Sequence, residues 1–329
     1  MGEKEKMYSD FLEVSKQTRV PVKKVLDVFC YLSTGESINN NQLVRRVGVS
    51  RNALNQVKKA LSVYLNPSSK ETSLREGVRE KLSTIYGNSY LTEESLLTTL
   101  TESDVYKQSI ELLSRFKDRR PVPKRDYDQF TATVETSAKR AALLDFLGDV
   151  RGKQILFLGD DDFTSVVTAN IRSAKGVAVL DIDDRILDNI GAISSELDLG
   201  IRRVRHDLRK PIPPELRGKF DTVFTDPPYT PEGIGLFVSR AIEAIDRRNQ
   251  TARVYVCYGN SDRAKERFLP IQEVLTDAGL MFRWVFDRFN RYDGAESIGS
   301  ASSLFVAEVT PQTKPLIRGN YDRPIYTND

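Results

Sequence analysis

Cysteine and histidine are scarce in this sequence, and their scarcity excludes several kinds of functional site. The 329 residues include two cysteines, Cys30 and Cys257, and a single histidine, His206. Two cysteines in different predicted domains exclude a disulfide framework and a cysteine-rich zinc site. One histidine excludes every mechanism that requires two, and the lack of a G-x-S-x-G turn argues against a Ser-His-Asp hydrolase.

Long apolar runs are also missing. No run approaches the ~18 residues that a membrane helix needs, and the charged segment Met1–Asp10 has no apolar stretch behind it. Neither a membrane anchor nor a signal peptide is expected, and two free thiols favour a reducing cytoplasm. The formal net charge is only +3, but residues 1–120 contain 20 Lys and Arg against 15 Asp and Glu, so the basic surplus lies in the N-terminal part.

The N-terminal third predicts a small helical domain. Apolar spacing predicts helices at Val22–Leu32, within Ser37–Val49 and at Ser50–Leu65, with Gly48 in the turn before the last of them. This order is typical of a helix-turn-helix or winged-helix domain. The domain could bind DNA, or it could serve only in packing or dimerisation, which the small charge surplus favours. If it binds DNA, the residues that face the major groove are Arg51, Asn52, Asn55 and Lys58.

A charged segment with two prolines, Lys117–Lys124, sets the predicted boundary between residues 1–120 and residues 121–329. After Lys153, continuous apolar runs alternate with helical stretches. Such runs predict strands that are covered on both faces, and the alternation predicts a parallel α/β sheet. Five βα units followed by a hairpin are typical of the Rossmann-like, methyltransferase-type fold. The predicted strands are 154–160, 177–183, 201–208, 220–226, 253–259, 281–287 and 303–309.

Three consecutive aspartates follow the first of these predicted strands. They lie at its carboxyl end, where sheets of this kind bind their ligands. A dinucleotide-binding loop has glycines at this point, and three carboxylates repel a pyrophosphate but attract an amine or ammonium group. One of the three is expected to cap the following helix. These aspartates lie in the segment Gly159-Asp160-Asp161-Asp162. The segment therefore predicts a site for a cationic ligand.

The next two predicted strands also end in acidic residues. An acidic side chain after the second strand commonly accepts hydrogen bonds from ribose hydroxyls, and Asp181 is the candidate. Asp183 is instead the predicted N-cap of the next helix. Asp207, after the third strand, is a candidate acceptor for an adenine amino group. The neighbouring His206 is expected to be structural, because lone histidines more often satisfy local structure than take part in chemistry.

The fourth predicted strand ends in the motif Asp226-Pro227-Pro228-Tyr229. Prolines fix the loop and lack N–H donors, so the nearby carbonyls are free to accept from an amine that is being alkylated. Amino-methyltransferases that act on a flipped base use such a motif, and an enzyme acting on an aliphatic polyamine could use the same acceptors. The three aspartates favour the polyamine, because an acidic entrance repels nucleic-acid phosphates.

Taken together, GDDDFTS (159–165) and DPPYTPEG (226–233) resemble the branched-chain polyamine synthases, the N4-bis(aminopropyl)spermidine synthase family. Further similar segments are YDQFTATVET (127–136), VLDIDDRIL (179–187), HDLRKPIPPEL (206–216) and GAESIGSASSLFV (294–306). The resemblance implies a winged-helix domain followed by a Rossmann-like catalytic domain. The C-terminal segment, YDRPIYTND, lacks the long acidic stretch of some members.

The resemblance also implies the reaction. The co-substrate is decarboxylated S-adenosylmethionine, which donates aminopropyl groups to the N4 amine of spermidine, and methylthioadenosine is the other product. No tightly bound cofactor and no metal are expected; the partners are these two substrates, with a homodimer expected and neither membrane nor nucleic acid. The alternatives are an amino-methyltransferase that acts on nucleic acid with intact S-adenosylmethionine, and a non-enzymatic winged-helix regulator.

Residue roles follow from the resemblance and from the positions of the motifs. Asp162, Asp226 and Tyr229 are the predicted catalytic residues, with Asp162 accepting the N4 proton. The predicted donor-binding residues are Gly159, Asp160, Asp161, Asp181, Asp207 and Pro227. The predicted acceptor-binding residues are Asp161, Asp162, Tyr229, Tyr127 and Gln129.

Overall fold

The structure, a computed structural model, describes residues 3–18, 20, 22–35, 38–67, 71–86, 94–249, 251–259, 265–295 and 300–326. The chain forms two compact units. The first comprises Met1–Ser95, Asn260–Arg267 and Asp293–Ala301. The second comprises Leu96–Gly259, Phe268–Tyr292 and Ser302–Asp329. Within the described residues, no helix is long and apolar enough to cross a membrane.

The first unit is built from helices and one very small antiparallel sheet. Its elements are α1 (Glu3–Thr18), α2 (Val22–Ser33), β1 (Ile38–Asn39), α3 (Asn40–Val47), α4 (Arg51–Ala60), β2 (Glu71–Thr72) and α5 (Val78–Tyr86). The strands β1 and β2 pair antiparallel, and the isolated bridge between Leu65 and Leu74 continues this pairing. These elements follow one another as two helices, a strand, two helices, a strand and a helix, and a winged-helix domain stays a prediction for this unit.

The sequence does not predict α1, β1 or β2, and α4 is shorter than predicted. Helix α1 lies against α2, α4 and α5, and Phe11 from α1 is fully buried. Polar residues separate the apolar positions of α1, so its sequence does not show a clear apolar face. Helix α4 ends at Ala60 and is followed by a 3-10 turn at Ser62–Tyr64, so the predicted helix to Leu65 is interrupted before its end.

The apolar spacing of residues 91–116 predicts a single helix, but the structure has two, α6 (Glu94–Glu102) and α7 (Asp104–Phe116), with the break at Ser103. The Ser103 hydroxyl accepts a hydrogen bond from the Tyr106 N–H and so begins α7. Residues 91–93 of the predicted helix lie outside the described residues. Leu113 and Phe116 of α7 are buried in the same core as the large sheet. The boundary expected at residue 120 therefore falls inside the second unit, because α7 packs with the sheet domain.

The second unit contains a seven-stranded sheet with helices on both faces. The strands are β3 (Gln154–Leu158), β4 (Gly176–Asp181), β5 (Arg202–Arg205), β6 (Thr222–Thr225), β7 (Arg253–Tyr258), β8 (Met281–Arg291) and β9 (Ala301–Glu308). Their order across the sheet is β5-β4-β3-β6-β7-β9-β8. Neighbouring strands are parallel from β5 through β4, β3 and β6 to β7, and β9 pairs antiparallel to β7. The predicted methyltransferase-type α/β fold is confirmed.

The helices of the sheet unit are α8 (Val134–Phe146), α9 (Thr164–Asn170), α10 (Asp184–Leu197), α11 (Pro231–Ala244) and α12 (Leu269–Asp277). Separate hydrophobic clusters cover the two faces of the sheet, which explains why its central strands are continuous apolar runs. The sequence between the predicted strands 253–259 and 281–287 predicts a helix over residues 262–278, but α12 begins only at Leu269, after a 3-10 turn at Lys265–Phe268. Residues 262–264 of that prediction lie outside the described residues.

Candidate active site

The acidic motifs meet at the carboxyl edge of the parallel strands. Strand β3 pairs with β4 on one side and with β6 on the other, so the segments after these three strands are neighbours. The Asp160 N–H donates to the Asp181 carboxylate at 3.1 Å. Arg140, from α8, bridges the carboxylates of Asp162 and Asp226. The structure thus brings together five predicted carboxyl groups that come from three separate segments.

Asp160 serves the helix that follows it. Its two carboxylate oxygens accept from the backbone N–H groups of Thr164 at 2.8 Å and Ser165 at 2.9 Å, at the start of α9. Burial raises the pKa of the Asp160 carboxyl to about 7, although the hydrogen bonds from Ser165 oppose this shift. Asp160 is therefore the aspartate that satisfies the beginning of the helix, which the sequence predicts for one of the three.

Asp162 is held by an arginine that the sequence does not predict as a site residue. Its side chain is buried and forms an ion pair with Arg140 at 2.8 Å, and its other oxygen accepts from the Ala132 N–H. Burial raises the pKa of Asp162, while Arg140 opposes that shift. The backbone carbonyl of Asp162 accepts from Arg120 at 2.7 Å and from the Ser137 hydroxyl at 3.0 Å. Both the side chain and the backbone of Asp162 are thereby fixed.

Asp161, between them, has a different environment. Its side chain is half-buried, and within the described part of the chain its carboxylate accepts no hydrogen bond and forms no ion pair. Burial raises the pKa of Asp161 well above its ordinary value, and the nearby carboxylates of Asp162, Asp226 and Asp181 raise it further. A carboxyl group surrounded by other carboxyl groups is a strong candidate for binding a cation.

The D-P-P-Y aspartate accepts hydrogen bonds from three side chains. Arg140 donates to Asp226 at 2.7 Å, Tyr292 donates to the same oxygen at 2.7 Å, and Tyr229 donates to the other oxygen at 3.1 Å. Burial followed by the charge of Asp226 raises the pKa of both tyrosines well above the ordinary value. The Tyr292 hydroxyl also lies 2.8 Å from the Ser302 hydroxyl. Both phenols therefore stay protonated and can donate to Asp226.

Arg140 and Tyr292 are the main site residues that sequence reasoning misses. Arg140 is 1% exposed, and it also donates through Nε to Asn290 at 2.8 Å. A charged residue among buried alanines and leucines of α8 is a recognisable signal, because a fully buried arginine requires acidic partners. Tyr292 follows an edge strand, and no sequence pattern identifies its partner.

The remainder of the D-P-P-Y loop is tightly constrained. Pro227 is buried, and the Thr230 hydroxyl accepts from the Gly233 N–H at 2.9 Å as the N-cap of α11. A Cβ atom on Gly233 would lie 2.8 Å from the carbonyl oxygen of Pro228 and 2.9 Å from the Thr230 hydroxyl. Glycine is therefore required at this position so that the loop can fold back on the helix.

The predicted donor residues lie at the neighbouring strand ends. Asp181 accepts from the Asp183 N–H at 2.8 Å, and burial raises the pKa of Asp181 to about 6 against the hydrogen bonds from Asp183 and Asp160. Asp183 is confirmed as the N-cap of α10. Burial acts to raise the pKa of Asp207, but hydrogen bonds from Arg209 prevail and lower it. Gly159, at the end of β3, donates its N–H to a backbone carbonyl of β4 at 2.8 Å.

The predicted acceptor residues Tyr127 and Gln129 lie on the side of Asp181 and Asp183 rather than beside Asp226. Gln129 donates to the Asp183 carboxylate at 3.4 Å. The Tyr127 ring lies 5.8 Å from the ring of Tyr326, between centroids. His206 is partly exposed, with Nε2 3.3 Å from the Lys210 carbonyl oxygen, and its backbone N–H donates to the Asp181 carbonyl at 2.9 Å.

The C-terminal segment passes over this part of the sheet edge. The Ile325 carbonyl accepts from the Thr230 hydroxyl at 2.6 Å, and the Tyr321 N–H donates to the Arg209 carbonyl at 2.8 Å. These two contacts bring Tyr326 close enough to Asp207 and Asp181 for their charges to contribute, after burial, to the raised pKa of its hydroxyl. The sequence gives no indication of this placement. Residues 327–329 lie outside the described residues.

No group of three or more His, Cys, Asp or Glu side chains is arranged to hold a metal ion in the described part of the chain. The site is therefore characterised by its carboxyl groups, one bridging arginine and several phenols. Such a set binds ammonium or sulfonium groups by charge and accepts protons from amines.

The family model of the branched-chain polyamine synthase A C-terminal domain matches residues 109–318. This chain belongs to the branched-chain polyamine synthase family. The matched residues include every predicted site residue and also Arg140 and Tyr292. Among the site residues described above, only those of the C-terminal segment after residue 318 lie outside the match.

Curated relatives within the synthase family fall into two kinds. A Methanocaldococcus jannaschii protein named only as uncharacterized is 41% identical over 209 residues, which are 64% of this chain and 51% of that protein. The N4-bis(aminopropyl)spermidine synthases of Methanocaldococcus jannaschii and Thermococcus kodakarensis are each 34% identical, over 55% and 58% of this chain and 53% and 54% of their own lengths. The chain therefore spans about half the length of the curated relatives that it matches.

Among solved structures, the crystal structure of the branched-chain polyamine synthase from Thermus thermophilus is similar over the whole chain. That protein is described in complex with N4-aminopropylspermidine and 5'-methylthioadenosine. The TM-score is 0.67 at 22% sequence identity, with 99% of this chain and 98% of that chain covered. This similarity establishes a shared fold.

Proposed function

We propose that this protein transfers aminopropyl groups from decarboxylated S-adenosylmethionine to a secondary amine of a polyamine, with the N4 amine of spermidine as the acceptor. The observation that best supports the proposal is the environment of Asp161. Its carboxylate has no hydrogen-bonding partner among the described residues and lies among four other carboxyl groups. A polyamine or a sulfonium donor supplies the positive charge that this cluster attracts.

The donor fits the site better without its carboxylate. Intact S-adenosylmethionine carries a carboxylate, which Asp161 and its acidic neighbours would repel. The decarboxylated donor ends instead in an ammonium group beside a sulfonium centre. Membership of the synthase family and the methylthioadenosine bound to the Thermus thermophilus protein are consistent with this choice.

The reaction is a displacement at the propyl carbon next to sulfur. The lone pair of the acceptor nitrogen forms the new C–N bond while the C–S bond breaks. The electron pair of the broken C–S bond stays on sulfur, which gives neutral methylthioadenosine. The nitrogen must be unprotonated before it attacks. After the first transfer it is a protonated tertiary amine that can lose its proton, whereas a second transfer gives a quaternary nitrogen with no proton to lose.

We assign the N4 proton to the adjacent pair Asp161 and Asp162. The sequence predicts Asp162 for this role, but both of its carboxylate oxygens already accept hydrogen bonds from Arg140 and Ala132. Asp161 is the member of the pair whose oxygens are available, directly or through water. Burial and the repulsion between neighbouring carboxylates raise the pKa of Asp161, which favours proton uptake at this residue.

The remaining residues bind and orient the two substrates in this proposal. Asp160 and Asp226 attract the ammonium ends, while Tyr229 and the Pro227 carbonyl shape the acceptor side. Asp181 accepts from the ribose hydroxyls, and Asp207 accepts from the adenine amino group. Gln129 and Tyr127 lie close to the donor side, so we reassign both from acceptor to donor binding.

A paired incubation tests this function. Purified protein is mixed with spermidine and either decarboxylated or intact S-adenosylmethionine, and the products are identified by mass spectrometry. We expect polyamines heavier by one or two aminopropyl units with the decarboxylated donor only, together with methylthioadenosine. Methyl transfer from the intact donor, to a polyamine or a nucleic acid, would establish the alternative methyltransferase. No product from either donor would contradict the proposed reaction for this acceptor, and longer and shorter polyamines serve as the next acceptors.

A further inference from the structure

The two central helices of the first unit form a tight turn. Gly48 ends α3 with φ of 70°, a left-handed conformation that favours glycine, and its N–H donates to the Val44 carbonyl. Ser50 then begins α4, and its hydroxyl accepts from the Ala53 N–H at 3.2 Å. Leu43 and Leu54 are fully buried in the core of this unit. The turn from 48 to 50 therefore fixes α4 rigidly against α3, as in a helix-turn-helix.

The outer face of α4 contains cations, amides and one alanine, and no acidic residue. Its buried positions are Ala53, Leu54 and Val57. Its exposed positions are Arg51, Asn52, Asn55, Lys59 and Ala60. Arginine, asparagine and lysine are the residues that hydrogen-bond base edges in a major groove. The composition is therefore that of a recognition helix rather than of an ordinary solvated face, where acidic and basic residues alternate.

The surrounding sequence has no negative charge. Residues 37–70 contain six Lys and Arg and no Asp or Glu. Arg45 of α3 pairs with Asp293 at 3.2 Å, whereas two of the cations in α4 are held by neutral amides: Arg51 donates to Asn41 at 2.8 Å, and Lys58 donates to Asn40 at 2.6 Å. The side chains of Arg51 and Lys58 are therefore oriented without being neutralised by carboxylates. The net charge of residues 1–120 is small because acidic residues outside 37–70 offset these six cations.

A cavity lies beside the C-terminal end of α4. Its volume is about 250 Å³, and three of its lining residues are the cations Lys58, Lys59 and Arg75. Glu71, from β2, is the one carboxylate among its lining residues. Lys58, Lys59 and Arg75 place positive charge where a phosphate group would approach α4 and the strand pair.

We propose that the first unit binds duplex DNA, with the exposed face of α4 in the major groove and backbone phosphates at Lys58, Lys59 and Arg75. This proposal replaces the expectation of no nucleic-acid partner, and it does not depend on the proposed transfer reaction. Each phosphate neutralised contributes a slope of about −0.9 to log K against log salt. The three phosphate contacts at Lys58, Lys59 and Arg75 therefore predict a slope of about −2.7.

Fluorescence anisotropy of a labelled duplex of mixed sequence, titrated with the full chain between about 50 and 200 mM salt, tests the proposal. The test variant is Arg51→Ala/Lys59→Ala, and the charge-matched control is Lys107→Ala/Lys117→Ala, two exposed lysines of the second unit. We expect the wild type to bind with the predicted slope. The test variant should lose affinity at least tenfold and about one unit of slope, because Lys59 is its one phosphate contact, while the control keeps both.

Circular dichroism and thermal melting verify that both double variants are folded. Failure of the folded wild type to bind the duplex, or an equal loss in the control, would overturn the proposal. Stronger binding to single-stranded nucleic acid than to duplex would also overturn it. Because neither donor nor polyamine is present, this result is independent of the outcome of the transfer assay.

Discussion

Asp160, Asp161 and Asp162 are consecutive in the chain, yet each has a different task. Asp160 satisfies the first N–H groups of α9, and Asp162 is paired with Arg140. Asp161 is left with free carboxylate oxygens among the described residues. The sequence predicts the acidic site and the capping role. It cannot assign these tasks to individual aspartates, because they depend on the side chain that α8 supplies.

Replacing Asp161 and Asp162 separately by asparagine distinguishes their roles. Asp161→Asn removes the proton acceptor without breaking a hydrogen bond, so turnover should fall about 10²–10⁴-fold without loss of stability. Asp162→Asn should also lower turnover, but it leaves Arg140 without one buried partner and should lower the free energy of unfolding by about 3–5 kcal/mol. Steady-state kinetics and urea denaturation measure the two effects. Full activity in Asp161→Asn would remove this residue from proton transfer.

Arg140 spans two carboxylates, and lysine cannot replace it. Arg140→Lys keeps the charge but loses the planar group that reaches Asp162 and Asp226 together, so both stability and turnover should fall, with turnover down at least tenfold. Arg240→Lys is the matched control, since Arg240 is equally buried and paired with Glu243 outside the acidic cluster. We expect the control to lose stability but to keep turnover, and equal kinetic losses in both would make Arg140 merely structural.

At the scale of elements, the long strands are predictable and the short ones are not. Strands β3, β4, β6 and β7 are buried on both faces, so each is a continuous apolar run in the sequence. By contrast, β1 and β2 have two residues each, and they exist only because distant segments pair. The position of the C-terminal segment also cannot be predicted from the sequence, because it depends on hydrogen bonds to Thr230 and Arg209.

The contact between Tyr326 and Tyr127 predicts an effect on donor binding. In the proposed reaction these two rings border the adenosine-binding site. Tyr326→Ala should therefore raise the KM for the donor about tenfold, because stacking of an aromatic ring on a base contributes about 1–3 kcal/mol. Tyr326→Phe should keep the wild-type value, since the ring remains. Tyr321→Ala is the control in the same segment. Equal KM values for spermidine in all three would localise the effect to the donor, whereas an unchanged donor KM in Tyr326→Ala would contradict it.

At the scale of the whole molecule, the clustered carboxyl groups make stability depend on pH. The pKa values of Asp160 and Asp181 are raised to about 7 and about 6, so the folded state retains protons that the unfolded chain has lost. The free energy of unfolding should therefore fall as the pH rises from about 4 to about 7. Each kcal/mol lost corresponds to about 2–4 °C in Tm.

Differential scanning calorimetry across this interval, with Asp161→Asn alongside the wild type, measures the effect. The variant should have a smaller pH dependence, because it lacks one of the repelling carboxyl groups. Spermidine should restore part of the lost stability at the upper end of the interval. A Tm of the wild type that rises with pH over the same interval would have the opposite sign and contradict the assignment of these shifts.

The division of the chain into units also required the structure. The charge and the two prolines of Lys117–Lys124 are typical of a linker between domains. However, α7, which precedes this segment, packs into the core of the sheet unit. Composition identifies an exposed connection but not which core the preceding helix joins. The expected homodimer stays a prediction, and light scattering should give a mass near twice that of the 37.3 kDa chain.

The acidic strand edge has a consequence for the order of events in the proposed reaction. Transfer moves the positive charge of the donor onto the polyamine, which gains an ammonium group, and the departing nucleoside becomes neutral. We therefore expect the carboxyl groups around Asp161 to hold the first product more tightly than the original acceptor, and to attract the neutral nucleoside less than the cationic donor. The proposed reaction is accordingly expected to be processive, with the singly modified polyamine retained while a fresh donor enters, and added salt should increase the share of singly modified polyamine.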